Sequence, residues 1–319
     1  MKIDWIECTV KGVTASVVLE LKAFFRSNWR ENDFGGMGYD ASATVWETGR
    51  VFWSTVRPDM GVHVRLPPSA LEAAGLDPVA VLCELHGMGA KFTRVDIAMD
   101  DTQGLLDLKE IARKTEDKCE MVCLAHEGDR RKGTFGKRKD AHTETYGSRF
   151  SETFVRIYDK AAERKAKTGE LIPHWVRVEF EYKGARAQAV ADYIVTHRVN
   201  WRDAARGWFL AYLDFKEPGT DENKSRWKTC DWWLKFLEYA SKVRLFLSRV
   251  TKTVDDVKRW VNKQVAPSLF VLSMTIGHDD LFHMVGEASA RLSNKHLDMI
   301  ESYGQMLGAM RARECVNEL

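Results

Sequence analysis

Hydrophobic and polar positions alternate with a period of two along several stretches of the first ~185 residues, the signature of half-buried strands. KIDWIECTV, GVHVRLP, FTRVDIAMDD, EMVCLAHEG, HTETYGSR, FVRIYDK and HWVRVEFEYKG all read this way. DFGGMGYDASATVWETGRVFWSTV reads as a hairpin about Glu47-Thr48-Gly49. Between these runs the apolar residues recur at helical spacing. VTASVVLELKAFFRSNW, DPVAVLCELHGMG, a stretch at about 105–118, and GARAQAVADYIVTHR are predicted helices. Ser69 is the expected N-cap of the helix begun by SALEAAG, and Gly169 closes AAERKAKTG.

Beyond about residue 200 the alternation fades. CDWWLKFLEYASKVRLFL, VDDVKRWVNKQVAPSLFVL, DDLFHMVGEASARL and NKHLDMIESYGQMLGAMRARE read as amphipathic helices, with Pro267 breaking or kinking the second. KEPGTDENKSR at 216–226 is the loop. The expectation is an α+β fold with one or more mixed, mainly antiparallel sheets and packed helices, followed by a mostly helical C-terminal region. The domains are expected at 1–198 and 199–319.

Composition narrows the class. The 319 residues are 45% hydrophobic and 29% charged, as in soluble globular proteins. No apolar run reaches the roughly 18 residues of a membrane span, and MKIDWIECTV lacks a signal-peptide layout, so a cytoplasmic location is expected. The six cysteines are scattered, which fits reduced thiols. A net charge of +2 argues nothing about nucleic acid, but residues 130–139 hold six cations and no anion. A glycine-containing basic loop of that kind suits phosphate backbones, and it also suits a solvated turn.

The candidate chemistry lies on strand faces. Period two puts Arg156, Tyr158 and Lys160 on one side of FVRIYDK. It gathers Arg94, Asp96 and Asp100 in one strand and Arg177, Glu179 and Glu181 in another, while Val95, Ile97, Met99, Val176, Val178 and Phe180 face the other way. If these strands are neighbours, one surface collects four carboxylates, a phenol and its flanking cations. Carboxylate oxygens suit Mg²⁺ or Mn²⁺, which polarises a phosphoryl oxygen. Tyr158 is then the nucleophile, and Arg156 and Lys160 hold phosphate oxygens or lower the phenol pKa. The competing reading is an exposed face laced with Arg–acid cross-strand pairs.

The segments FTRVDIAMDD, YGSRFSETFVRIYDKAAERK and WVRVEFEYKGARAQAV, in this order and spacing, resemble the three main motifs of the replication initiation factors of rolling-circle plasmids and filamentous phages. That family includes relaxases of conjugative elements. The clear likeness covers about residues 85–195, and WKTCDWWLKFL and RWVNKQVAPSL resemble the phage branch more weakly. The resemblance implies an endonuclease that nicks one strand at an origin. Tyr158 would attack the phosphodiester, keep the 5′ phosphate and free a 3′-hydroxyl. Asp96 and Glu179 are carried over as metal ligands, with Asp100 and Glu181 beside them. The chain has no His-x-His pair, so carboxylates must do the metal work. Expected DNA contacts are Arg130, Arg131, Lys132, Lys137, Arg138, Lys139 and Arg149. Expected partners are an origin on circular DNA, host helicase and polymerase, and a second copy of the chain.

The rivals are a conjugative relaxase of the same chemistry, a DNA-binding protein that does not nick, and a tyrosine recombinase. The acids near Tyr158 argue against the last. Tyr146 is a second tyrosine, for which packing or a phosphate contact is the better reading than catalysis. Cys119, Cys123, His126 and His142 are weak zinc candidates, since CEMVCLAH reads as a buried strand.

Overall fold

A computed structural model of the chain describes residues 1–116, 120–123, 143–243, 245, 254–292, 296–297, 299–301 and 303–304. The basic run at 130–139 lies outside the described residues, as do Cys119, His126 and His142. The strands are β1 (Lys2–Val10), β2 (Arg30–Asn32), β3 (Ala41–Val45), β4 (Gly49–Trp53), β5 (Val62–Leu66), β6 (Ala90–Asp101), β7 (Met121–Cys123), β8 (Thr143–Tyr146), β9 (Thr153–Asp159), β10 (Val176–Lys183) and β11 (Leu213–Phe215). The helices are α1 (Thr14–Phe25), α2 (Pro68–Ala74), α3 (Pro78–Gly87), α4 (Leu108–Glu116), α5 (Lys160–Thr168), α6 (Gly184–Thr196), α7 (Trp201–Tyr212), α8 (Asp231–Phe236), α9 (Val254–Trp260), α10 (Ala266–Thr275) and α11 (His278–Glu287).

Nine strands form one antiparallel sheet in the order β2-β3-β4-β5-β1-β6-β10-β9-β8, and β11 pairs with β7 in a second. The α+β class with a mainly antiparallel sheet is therefore correct. Two families of side chains alternate along every long strand. Ile6, Val64, Phe92, Ile97, Val155, Ile157, Val178 and Phe180 are sealed on one face, where they join the core. Removing such a face from water supplies most of the drive to hold the register, because a one-residue slip would expose all of it.

The turn between β3 and β4 falls where the hairpin pattern put it, with Trp46 and Glu47 at φ 42° and 63°. Gly169 ends α5 in the left-handed conformation at φ 75°. Ser69 is not an N-cap: Pro67 takes that position with Pro68 in the first turn, and the Ser69 hydroxyl bonds Thr48 Oγ1 at 2.7 Å. Asp77 caps α3 instead, accepting the Val79 N–H at 3.1 Å. The helix drawn over CDWWLKFLEYASKVRLFL is confined, among the described residues, to α8, and Glu238 and Tyr239 turn left-handed just after it. Pro267 sits in the first turn of α10, directly after a π-helical turn at Val261–Val265.

The chain divides into two compact units, Met1–Leu247 and Ser248–Leu319. The boundary drawn at 198/199 thus falls within the first unit. The reason is α7, which the fading of the strand pattern hid. Trp201, Ala205 and Phe209 are fully buried, and the Phe209 ring stacks on Phe180 of β10 at 3.7 Å between centroids. Phe215 of β11 and Trp233 of α8 extend the same core. The second unit is helical in its described residues.

Candidate active site

β6, β10 and β9 are adjacent, so residues far apart in sequence meet on the polar face. Across β10 and β6, Glu181 lies opposite Asp96 and Arg177 opposite Asp100. Across β10 and β9, Glu179 lies opposite Arg156 and Arg177 opposite Tyr158. Each of these side chains faces away from a buried apolar neighbour, so the core burial that fixes the strands also aims the site.

The Tyr158 hydroxyl donates a hydrogen bond to Glu179 Oε2 at 3.2 Å. Arg156 pairs with the other oxygen of Glu179. The Arg156 guanidinium and Lys160 Nζ lie 6.0 and 5.7 Å from the centre of the Tyr158 ring. The tyrosine does sit between two cations, but its pKa is raised, not lowered. Burial raises it, and the Glu179 carboxylate raises it further against the opposing pull of Arg177 and Arg156. Lys160 is the first residue of α5 rather than part of the strand, and its Nζ bonds Glu163 Oε2 at 2.6 Å.

The remaining acids are held by arginines. Arg94 grips both oxygens of Asp96, at 2.9 and 2.6 Å, and reaches Glu181 Oε2 at 2.8 Å. Its guanidinium lies 4.3 Å from the ring centre of Trp5. Lys183 Nζ takes the other oxygen of Glu181 at 2.6 Å. Asp96 is 1% exposed, and its pKa is raised by burial and by Glu179 and Glu181, with Arg94 opposing. Asp100 behaves differently. Burial would raise it, but two hydrogen bonds from Arg177, at 2.6 and 2.9 Å, and one from the Trp175 indole, at 2.7 Å, bring it below the usual carboxylate range. Arg177 also donates to Asp4 Oδ2 at 3.0 Å.

No group of three or more metal-competent side chains is assembled among the described residues. Asp96, Glu179 and Glu181 present the hard oxygen donors that a divalent ion takes, with guanidinium groups bound to them. Asp100 is a poorer fit, because it lies opposite Arg177, whereas Asp96 lies opposite a second acid, Glu181.

Tyr146 is 4% exposed and opposite Val155, on the core side of the sheet, where its hydroxyl meets Thr115 Oγ1 at 2.9 Å. It belongs to packing. Arg149 is exposed, with its guanidinium 5.2 Å from the Phe154 ring centre. The sequence reading missed Asp4, Trp5 and Trp175. The signal for the first two was present, since KIDWIECTV reads as a strand. What was absent was any sign that β1 lies beside β6.

A family model described as "Replication initiation factor" matches residues 90–285. The "Putative DNA relaxase NicK" of Bacillus subtilis (strain 168) is 26% identical over 224 residues, which are 67% of this chain and 62% of the relative. The chain therefore spans less than two thirds of that protein's length. A solved structure titled "Structure of Rolling Circle Replication Initiator Protein from Geobacillus stearothermophilus" shares the fold with a TM-score of 0.64 and 22% identity, covering 77% of this chain and 98% of that one.

Proposed function

The chain belongs to the replication initiation factor family, and from that membership we propose that it is a strand-specific DNA nicking and closing enzyme that starts rolling-circle replication. The observation that carries this reading is the hydrogen bond from the Tyr158 hydroxyl to Glu179 on a face that also holds Asp96 and Arg156. All four residues fall inside the segment matched by the family.

In this reading Tyr158 Oη attacks the scissile phosphorus. Its pKa is raised, so it reacts as a phenol that loses its proton during attack, and Glu179 Oε2 is placed to accept that proton. The P–O3′ bond breaks as the P–Oη bond forms. The leaving oxygen takes up a proton and becomes the free 3′-hydroxyl, and the 5′ phosphate stays on the tyrosine. Attack of a 3′-hydroxyl on that ester reverses the step and needs no nucleotide cofactor, because one phosphodiester is exchanged for another. Arg156 orients Glu179 and offers charge to the phosphate oxygens.

Asp96, Glu179 and Glu181 are the residues that would hold Mg²⁺ or Mn²⁺. An ion bound there would supply Lewis-acid charge at a phosphoryl oxygen. Because Arg94 bridges Asp96 and Glu181, an ion held by these two acids would compete with that guanidinium for their oxygens.

The test mixes the protein with a single-stranded suicide oligonucleotide from its own origin and Mg²⁺ or Mn²⁺. An SDS-stable protein–DNA adduct is expected, abolished in Tyr158→Phe and by chelator, with DNA binding retained. Binding without any adduct would leave a DNA-binding protein that does not nick. The likeness to a relaxase supports a second context, conjugative transfer, for the same chemistry. Transfer of a plasmid carrying the element's origin to a recipient cell separates the two.

A further inference from the structure

The polar face that carries Tyr158 does not end at β6. It continues over β1, β5, β4, β3 and β2, and the register runs one row of side chains across it. Arg94 of β6 lies opposite Glu7, Glu7 opposite Arg65, and Arg65 opposite Arg50. Arg50 in turn lies opposite Thr44, and Thr44 opposite Arg30 at the far edge. Directly opposed residues project from the same face, so these four arginines share a face with Asp96, two residues from Arg94. The strand order puts β2 five steps from β6. At ~4.8 Å per step the row is about 24 Å long.

The row is short of anions. Its one carboxylate, Glu7, is engaged by His63 Nε2 and by the Trp5 indole, each at 3.2 Å, with Arg65 Nε farther off at 3.9 Å. Glu31 alternates to the opposite face, where it pairs with Lys22 of α1 at 2.6 Å. Asp33 and Glu47 are exposed just beyond the ends of β2 and β3, and Asp40 is taken up by Ser54 and Thr55. Arg50 donates only to neutral oxygens, Thr44 Oγ1 at 2.7 Å and the Gly49 carbonyl at 3.2 Å. Arg50 and Arg65 therefore face each other with no carboxylate between them, which costs stability in a bare sheet. The Arg65 side chain is 44% exposed, and Arg30 is exposed. The Trp5 ring lies 5.0 Å from the Arg65 guanidinium and 4.3 Å from that of Arg94, which fixes where the two charges stand. Along one side the row is banked by residues 33–40. There the Tyr39 ring stacks on Phe52 and His63 of the next row at 6.3 and 6.2 Å, and the Ser42 hydroxyl donates to the Phe34 carbonyl.

We propose that Arg30, Arg50 and Arg65 form a track for the sugar–phosphate backbone of single-stranded DNA, running from the nick toward the β2 edge. The inference rests on the nicking reading and deepens it. Guanidinium groups suit phosphate oxygens, and a bound backbone supplies the negative charge that the opposed arginines lack. A line one cation wide suits one backbone rather than the two that border a duplex groove.

The experiment measures binding of the full chain to single-stranded oligonucleotides of its own origin, by fluorescence anisotropy at several salt concentrations. A Tyr158→Phe background prevents adduct formation. Each flank of the nick is lengthened in steps. On one side, affinity should rise until the flank spans the ~34 Å from β9 to β2, about ten nucleotides at ~3.4 Å each. The combined variant Arg30→Gln, Arg50→Gln, Arg65→Gln should lose that gain. Its log–log salt slope should be shallower by about two, at ~0.7 per single-strand phosphate contact. Lysine at the same three positions should restore the slope, because it depends on charge. Circular dichroism and melting establish that both variants are folded. An affinity indifferent to flank length, or an unchanged slope in the folded glutamine variant, would overturn the track while adduct formation by the chain with Tyr158 stands. An equal gain from a flank annealed to its complement would put a duplex on the row and overturn the single-strand assignment. Absence of any adduct from the chain with Tyr158 would overturn nicking itself, whatever the row binds.

Discussion

Replacing Glu179 by Gln isolates what its carboxylate does. The amide is nearly the same size and keeps one acceptor oxygen for Arg156, while its N–H₂ replaces the oxygen that lies 3.2 Å from the Tyr158 hydroxyl. What is lost is a base able to take the phenolic proton. General-base catalysis contributes about 10²- to 10⁴-fold, or roughly 2.7–5.5 kcal/mol of barrier, so adduct formation should slow by that factor. The pH profile should change as well. Without the carboxylate, the phenol must ionise into solvent, and burial, the largest cause of its raised pKa, persists in the variant. The rate of Glu179→Gln should therefore climb about tenfold per pH unit up to at least pH ~10, the ordinary phenol value, while wild type rises less steeply. The assay is single-turnover adduct formation on a suicide oligonucleotide from pH 6 to 10. A rate within tenfold of wild type, or a superimposable profile, would refute the assignment of Glu179 as base. Recovery of the wild-type rate at high Mn²⁺ would show that the substitution had removed metal affinity and not the base.

Two further expectations concern stability. Arg177 is 2% exposed and bound to Asp4 and Asp100, so Arg177→Met strips two carboxylates of their shared partner. A cost of about 3–5 kcal/mol is expected in urea denaturation, with part regained on adding Asp100→Asn, and a cost under about 1 kcal/mol would contradict the buried-pair argument. Asp96 has a raised folded pKa, so the stability it contributes is fully present below about pH 4 and is lost as pH rises. Relative to wild type, Asp96→Asn should therefore gain in melting temperature on going from pH 5 to pH 8, and a difference that is flat or falls with pH would sink that claim.

Much of the site was legible because strand alternation is local. Asp96, Asp100, Arg156, Tyr158, Glu179 and Glu181 fall on single faces by counting residues, and Val95, Ile97, Val155, Ile157, Val178 and Phe180 fall on the other. The sequence could not show who holds whom. Arg94 and Arg177 were visible as residues of the same faces, but their roles as grips on Asp96 and Asp100 depend on side-chain reach. The expectation that cations depress the Tyr158 pKa counted charges and left out desolvation, which is the larger effect and has the opposite sign. The first compact unit runs past 198/199 for a related reason. A change in local periodicity marks a change of secondary structure, whereas a compact unit ends where packing ends, and α7 packs on β10.

What the sequence determined by itself was the set of elements with a strong period, the apolar face of each strand, and three motifs in order. These are properties of short segments, written in side-chain alternation. Only the tertiary structure decided that β1 lies between β5 and β6 and that β10 separates β6 from β9. Strand order follows from which apolar faces and backbone hydrogen-bonding edges fit together between residues as far apart in the chain as Lys2 and Ala98. No local pattern encodes that choice, because every strand here offers similar edges to every other.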